Sequence, residues 1–311
     1  MLRFGLCCIF SREPIRFRHT TAKALSAFTR FQQLAKLSEI CLANAESLLL
    51  AVQAVSRMGI GAFRVSSPIF PRYTHPEVGY GLDDLPEAAG IRELLAKVND
   101  YRETHDIRLS FHPDQFVTIS SLRAEVVDNS LRELEYQGIV AELIGADVIN
   151  VHGGGAYGDK NLTLQRFRHN FQRLSERVRR HLTLENDDMI YTVKDLHPVC
   201  WDLGIPLVYD VHHHRCHPDG LAVEEATRLA VGSWERSGRE AYFHISSPSQ
   251  GWDTKNARRH ADYVDMSDFP KFWLNLTATI DVEARAKELA VMKLMRELGF
   301  ARKDQQWFVG R

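Results

Sequence analysis

Six short apolar runs in this chain end on a histidine or a carboxylate, and helical patterns separate them. They are Arg108–His112, Asp147–His152, Leu182–Glu185, Ile205–Asp210, Ala241–His244 and Ala278–Glu283. Each is brief and rich in branched and aromatic residues, which predicts a buried strand rather than a helix. Strands that read as apolar runs and alternate with helices assemble into a parallel sheet. Two further runs, in Met1–Phe10 and at Ala62–Val65, bring the number of strand–helix units to eight. The expected architecture is therefore α/β: a single-domain TIM-type (β/α)8 barrel over residues 1–311. In such a barrel all strand C-termini open onto one face, so scattered run ends become one cluster of imidazoles and carboxylates.

The helices are expected at Thr21–Met58, with a break allowed at Asn44, and at Glu87–His105, Ala124–Gly145 and Lys160–His181. Others are expected at Tyr191–Leu203, Leu221–Arg236, Phe269–Leu276 and Ala284–Leu298. Gly59 suits a helix C-terminus. The sequence has no linker, low-complexity segment or close internal repeat.

Hydrophobic residues make up 44% of the chain, enough for a substantial core. Lys and Arg number 39 against 40 Asp and Glu, so the net charge is -1. That excludes an overall basic footprint for nucleic acid but not a local basic groove. Arg12, Arg16, Arg18 and Lys23 form one basic loop, and Arg166 to Arg180 a basic helix face. Five cysteines, Cys7, Cys8, Cys41, Cys200 and Cys216, form no C-x-x-C pair. An odd number without that spacing fits a reducing cytosol rather than a disulfide framework. The apolar start is short and followed by Ser11-Arg-Glu-Pro14, a poor cleavage region, so it reads as the first strand. No run reads as long enough to span a bilayer. The expectation is a cytoplasmic monomer with no membrane partner.

The metal-ligand candidates are His112, His152, Glu185, Asp210, His213, His244, His260 and Glu283. One ion takes three or four protein ligands, so these suit two or three divalent cations with Glu185 bridging. Clustered cations bind both the attacking water and the leaving oxygen of a phosphodiester, which favours phosphodiester hydrolysis. A sugar isomerase or epimerase is the rival, because such barrels also carry paired divalent metals. A catalytically dead barrel that only binds nucleic acid is a third reading, and intact ligands argue against it. Two long loops follow strands two and seven. The first carries His75, and the second Lys255, Arg258, Arg259, His260 and Asp262. His75 is a DNA-contact or plain surface histidine, and Lys255 and Arg258 bring positive charge beside the cluster. Gln115 and Phe116 could wedge into a base stack, although packing of Phe116 in its own loop is the simpler reading. Gly153-Gly-Gly155 allows close backbone approach to a ligand.

Taken together, several motifs carry a resemblance. They are Arg64-Val-Ser-Ser67, Ser110-Phe-His-Pro-Asp-Gln-Phe116, Val151-His-Gly-Gly154, Leu184-Glu-Asn-Asp187, Asp210-x-x-His213, His244-Ile-Ser-Ser247, His260-Ala-Asp-Tyr263 and Val282-Glu-Ala-Arg-Ala-Lys287. In order across nearly the whole chain, the set resembles the UV damage endonuclease family. That family sits among the barrels that include endonuclease IV and xylose isomerase. The resemblance implies metal-dependent incision of damaged double-stranded DNA immediately 5′ to a pyrimidine photoproduct, leaving 3′-hydroxyl and 5′-phosphate ends. An endonuclease IV-like cut at abasic sites is the variant reading. Manganese is the metal the resemblance implies, with zinc or magnesium as substitutes.

The resemblance also implies a partition of ligands. Glu185, Asp210, His244 and Glu283 would hold one metal; His112, His152 and Glu185 a second; His213 and His260 a third. The nucleophile would be a metal-bound water held by Glu185, Asp210 and Glu283. Gln115 and Phe116 fall where the family places a Gln-Tyr pair that probes the damaged bases. Four positions depart from the family pattern. Phe116 lacks the phenol, Tyr242 replaces a lysine that the family modifies to a metal-bridging carbamate, and Leu6 and Phe10 replace a Tyr and an Asn.

Overall fold

A computed structural model of the protein describes residues 1–300, so the last part of the 1–311 span lies outside the described residues. Eight strands close into a barrel in chain order, every neighbour parallel. They are β1 (Leu2–Cys7), β2 (Ala62–Val65), β3 (Arg108–Phe111), β4 (Val148–His152), β5 (Leu182–Glu185), β6 (Leu207–Asp210), β7 (Ala241–Ile245) and β8 (Ala278–Val282). The TIM-type barrel is as expected from the alternation of apolar runs and helical patterns.

The helices differ in detail from expectation. The first splits into α1 (Ala22–Leu25) and α2 (Arg30–Arg57), because Thr29 and Gln32 form a capping box that starts a new helix. Asn44 does not break α2. It is buried, and its amide donates to the carbonyls of Arg18 (2.9 Å) and Ile69 (2.7 Å), tying two loops to the helix. The expectation of no segment long enough to span a bilayer needs correction here. By length and composition α2 qualifies, but 56% of its most apolar stretch is buried in the fold, as in a core helix.

After α3 (Ala88–Thr104) and α4 (Ala124–Ile144), the expected Lys160–His181 helix is two: α5 (Lys160–Phe171) and α6 (Glu176–His181). Ser175 restarts it, its hydroxyl accepting from Val178 N–H while Glu135 accepts from the Ser175 backbone and hydroxyl. Then come α7 (Val193–Leu203), α8 (Val211–Cys216), α9 (Val223–Ser237) and α10 (Glu288–Glu297). Helix α8 is not foreseen by the sequence pattern. Asp210 caps it by accepting from the His213 N–H at 2.7 Å. The expected Phe269–Leu276 helix is two 3-10 turns, Met266–Asp268 and Lys271–Asn275, either side of Pro270, which cannot donate a helical bond.

The core between barrel and helices is built from large buried side chains, among them Trp234, Trp273, Tyr209, Phe63 and Phe111. The barrel interior beneath the strand ends is polar. Arg108 pairs with Asp147 at 2.8 Å, donates to Thr279 Oγ1 at 3.1 Å, and lies over the Tyr242 ring. Tyr242 is buried, its hydroxyl 2.8 Å from Ser110 Oγ.

Candidate metal centre

Parallel register sets the site. It places His152 beside Glu185, Asp210 beside His244, and His244 beside Asp281. In-register residues of neighbouring strands share a face, so these side chains gather at the mouth of the barrel.

Glu185 is fully buried, and its two oxygens face different partners. Oε2 is 3.1 Å from His112 Nε2 and 3.8 Å from His152 Nε2. Oε1 is 2.9 Å from His244 Nδ1 and 3.3 Å from His213 Nδ1. Burial alone would push its carboxyl up, but His244, His152, His112 and His213 outweigh it and hold it well below the usual range. Two ligand groups share this residue: His112, Glu185 and His244, and Glu185, Asp210 and His213. Within each, the ligand atoms lie within 4.8 Å of one another. This grouping differs from the partition implied by the resemblance, since His112 falls with His244 and His213 with Asp210. His260 stands on a hairpin loop, with Nδ1 3.7 Å from Glu283 Oε2.

Asp210 is held on three sides. Its N–H donates to Asn186 Oδ1 (3.0 Å), its carbonyl accepts from Asn186 Nδ2 (2.9 Å), and Oδ1 caps α8. Oδ2 is buried with no hydrogen-bond partner. His213 Nδ1 stands 3.5 Å away, and a buried carboxylate oxygen without a hydrogen bond is costly unless a cation meets it. The donor set of carboxylates and imidazoles around it suits divalent Mn, Zn or Mg. The residues present thus fit the implied metals.

Four contributors escape the pattern of strand ends. Arg64 and Asp281 lie inside β2 and β8, with Arg64 Nη1 2.7 Å from Glu283 Oε1 and Nε 2.8 Å from Asp281 Oδ2. Arg64 and His244 hold the Glu283 carboxyl below its ordinary value, against a burial effect that raises it. Asn150 donates to Glu185 Oε2 and accepts from Thr183, and Asn186 orders Asp210. For Arg64, Asp281 and Asn150 a charged or amide residue inside an apolar run is the available signal, because such a side chain needs a buried partner.

A cavity of about 1570 Å³ opens above the cluster, lined in part by His112, His152, His213 and His260. Gln115, Phe116, His75 and Arg258 line it too. Phe116 is 76% exposed rather than packed, on a turn that Asp114 ties by accepting from the Phe116 N–H at 3.0 Å. His75 Nδ1 accepts from the Glu77 N–H at 3.2 Å, which orders its loop. Arg258 pairs with Asp188 at 3.3 Å. Lys255 is exposed and outside the cavity wall. Asp262, the other ligand candidate of its loop, pairs with Arg285 instead. The arginines in the wall are Arg72, Arg123 and Arg258, while the Arg12–Lys23 loop reaches it through His19 and Thr20 rather than through its arginines. Along α5 and α6, Arg168, Arg173 and Arg177 are ion-paired on the outside. The triple glycine admits the protein's own side chains. A Cβ on Gly153 would meet the Tyr191 ring at 2.6 Å, and one on Gly154, at φ +84°, would meet Thr118 Oγ1 at 2.3 Å.

Tyr242 lies beneath the cluster, its ring 5.9 Å from that of His244, and its hydroxyl is committed to Ser110.

The UV DNA damage endonuclease of Bacillus mycoides is 33% identical over 97% of this chain and 96% of its own length. The crystal structure of SacUVDE superposes with a TM-score of 0.83 and 25% identity, covering 96% of this chain and 99% of that one. Endonuclease IV from Thermus thermophilus shares the fold, at a TM-score of 0.61 and 16% identity over 95% of this chain and 98% of its own. With the UV-endonuclease UvdE family model matching residues 2–307, the chain belongs to the UV-endonuclease UvdE family.

Proposed function

We propose that this chain is a metal-dependent endonuclease that cuts double-stranded DNA immediately 5′ to a UV photoproduct, leaving 3′-hydroxyl and 5′-phosphate ends. The observation that carries the reading is Glu185, whose two oxygens face separate imidazole pairs at the bottom of an open cavity. The names of the curated relatives support the damage specificity. Two or three manganese ions fit the ligand set, with zinc or magnesium as substitutes. When bound, such cations neutralise the phosphodiester and make a water nucleophilic near neutral pH.

The chain's own residues do the rest. Glu185, Asp210, His112, His152, His213, His244, His260 and Glu283 supply the ligand atoms. Asn186 and α8 hold Asp210 so that Oδ2 is the free oxygen. Phe116 stands clear of its loop and enters the base stack, where an aromatic ring replaces a lost stacking partner. Gln115 offers amide donors and acceptors to the displaced base edges. Arg258 and His75 meet the backbone from the cavity wall, and Lys255 from outside it.

The test is a duplex oligonucleotide carrying one thymine dimer, incubated with manganese beside undamaged and abasic controls. The expected product is a single cut just 5′ to the dimer, lost in Glu283→Ala. Cutting at abasic sites alone overturns the photoproduct reading in favour of an endonuclease IV-like one.

A further inference from the structure

Arg64 is an oddity of the barrel. It is a charged side chain, 7% exposed, inside the short apolar strand β2. Its guanidinium meets three groups from two other strands and the loop after them. Nε donates to Asp281 Oδ2 at 2.8 Å, Nη1 pairs with Glu283 Oε1 at 2.7 Å, and Nη2 lies 2.8 Å from His244 Nε2. We infer that Arg64 is a positioning residue of the metal centre, one that fixes which oxygen of Glu283 faces the cations.

A guanidinium has five N–H donors and no acceptor. His244 Nε2 must therefore accept from it, which places the ring proton on Nδ1. Nδ1–H then donates to Glu185 Oε1 at 2.9 Å. By the same rule Arg64 occupies Glu283 Oε1, leaving Oε2 on the His260 side. The planar fork makes all three contacts at once, which a lysine ammonium on a flexible stem does not reproduce. Asp281 aims the fork. It is fully buried, Oδ1 has no hydrogen-bond partner, and Gly5 leaves it room, since a Cβ there would sit 2.0 Å from Oδ1. Asp281 thus commits Oδ2 to Arg64. Hydrogen-bond partners of this kind orient ligating carboxylates, and their loss typically costs about 10- to 100-fold in metal affinity.

The inference rests on the metal-centre reading above, and calorimetric titration with manganese separates the two. The full-length protein, Arg64→Met, Arg64→Lys and Asp281→Asn are titrated after chelation, with thermal melts of the chelated proteins as the folding control. If the unmodified protein binds no manganese, the metal centre itself is overturned and this inference with it. If it binds, Arg64→Met is expected to weaken one binding step by about 10- to 100-fold and leave another within about twofold. Arg64→Lys, which keeps the charge and loses the fork, is expected to weaken the same step less. Should Arg64→Met fail to fold, Arg64→Lys decides alone. Unchanged isotherms in the folded variants overturn the inference. So does tighter binding in Arg64→Met, which is what a merely repulsive charge beside the cations would give.

Discussion

Beneath the metal centre, Arg64, Asp281, Ser110, Tyr242 and Arg108 are buried and bonded across strands. Above it, Gln115, Phe116 and Lys255 stand exposed on loops. The lower layer is tied together by these bonds, because polar groups there have lost water and need protein partners. The upper layer keeps its water, so its residues are free to meet another molecule. In a barrel this separates chemistry from recognition. Strand ends hold the reacting groups in place, and the loops choose the substrate.

The sharpest way to test that separation is to remove the residue where the two ligand groups meet. Glu185→Gln is expected to abolish manganese binding at one site and to slow incision by at least about 10³-fold, several kcal/mol of transition-state stabilisation. Single-turnover incision with the dimer oligonucleotide measures this. Normal turnover would mean that the buried carboxylate is structural.

The recognition layer is expected to respond differently. Phe116→Ala removes a ring with no packing role in the free protein, so its melting temperature stays the same. It is expected to weaken binding and incision of dimer DNA by an amount worth about 1–3 kcal/mol, the range for one aromatic–base stack. Loss of stability instead of DNA binding would place Phe116 in the fold rather than at the substrate.

Tyr242→Phe tests the lower layer without touching a ligand. It leaves the Ser110 hydroxyl without its phenol partner and is expected to cost about 1 kcal/mol of stability. Manganese affinity is expected to be unchanged. A shift in the manganese isotherm would make the phenol part of the metal centre.

The smallest effect concerns acid. Burial depresses the His181 imidazole below its ordinary value, at the start of the barrel rather than at its mouth. The unfolded chain then takes up the proton more readily, so the stability His181 contributes is present at neutral pH and lost as pH falls through about 6.5. Melting of the chelated protein from pH 7.5 to 5.5 is expected to show a shallower decline in His181→Gln than in the unmodified chain. Parallel declines would locate the acid sensitivity elsewhere.

Much of this was legible beforehand, for a physical reason. Strands of a parallel barrel are buried on both faces, so they leave short apolar runs, and an active site at their C-termini leaves its polar residues at the run ends. That is why His112, His152, Glu185, Asp210, His244 and Glu283 could be read together. The helix ends were less legible, because one serine or threonine cap decides them, as at Thr29 and Ser175. Helix α8 was hidden because three consecutive histidines carry no apolar period.

What the amino-acid order determined was the barrel and the roster of side chains at its mouth, since both follow from the period and the length of apolar runs. What only the tertiary structure decided was which atoms meet. Glu185 turning one oxygen to His112 and the other to His244, Arg64 reaching across to β7 and β8, and Phe116 standing clear of its loop depend on strand stagger and side-chain rotamers. Contacts between residues 59 to 217 positions apart exist only once the barrel has closed.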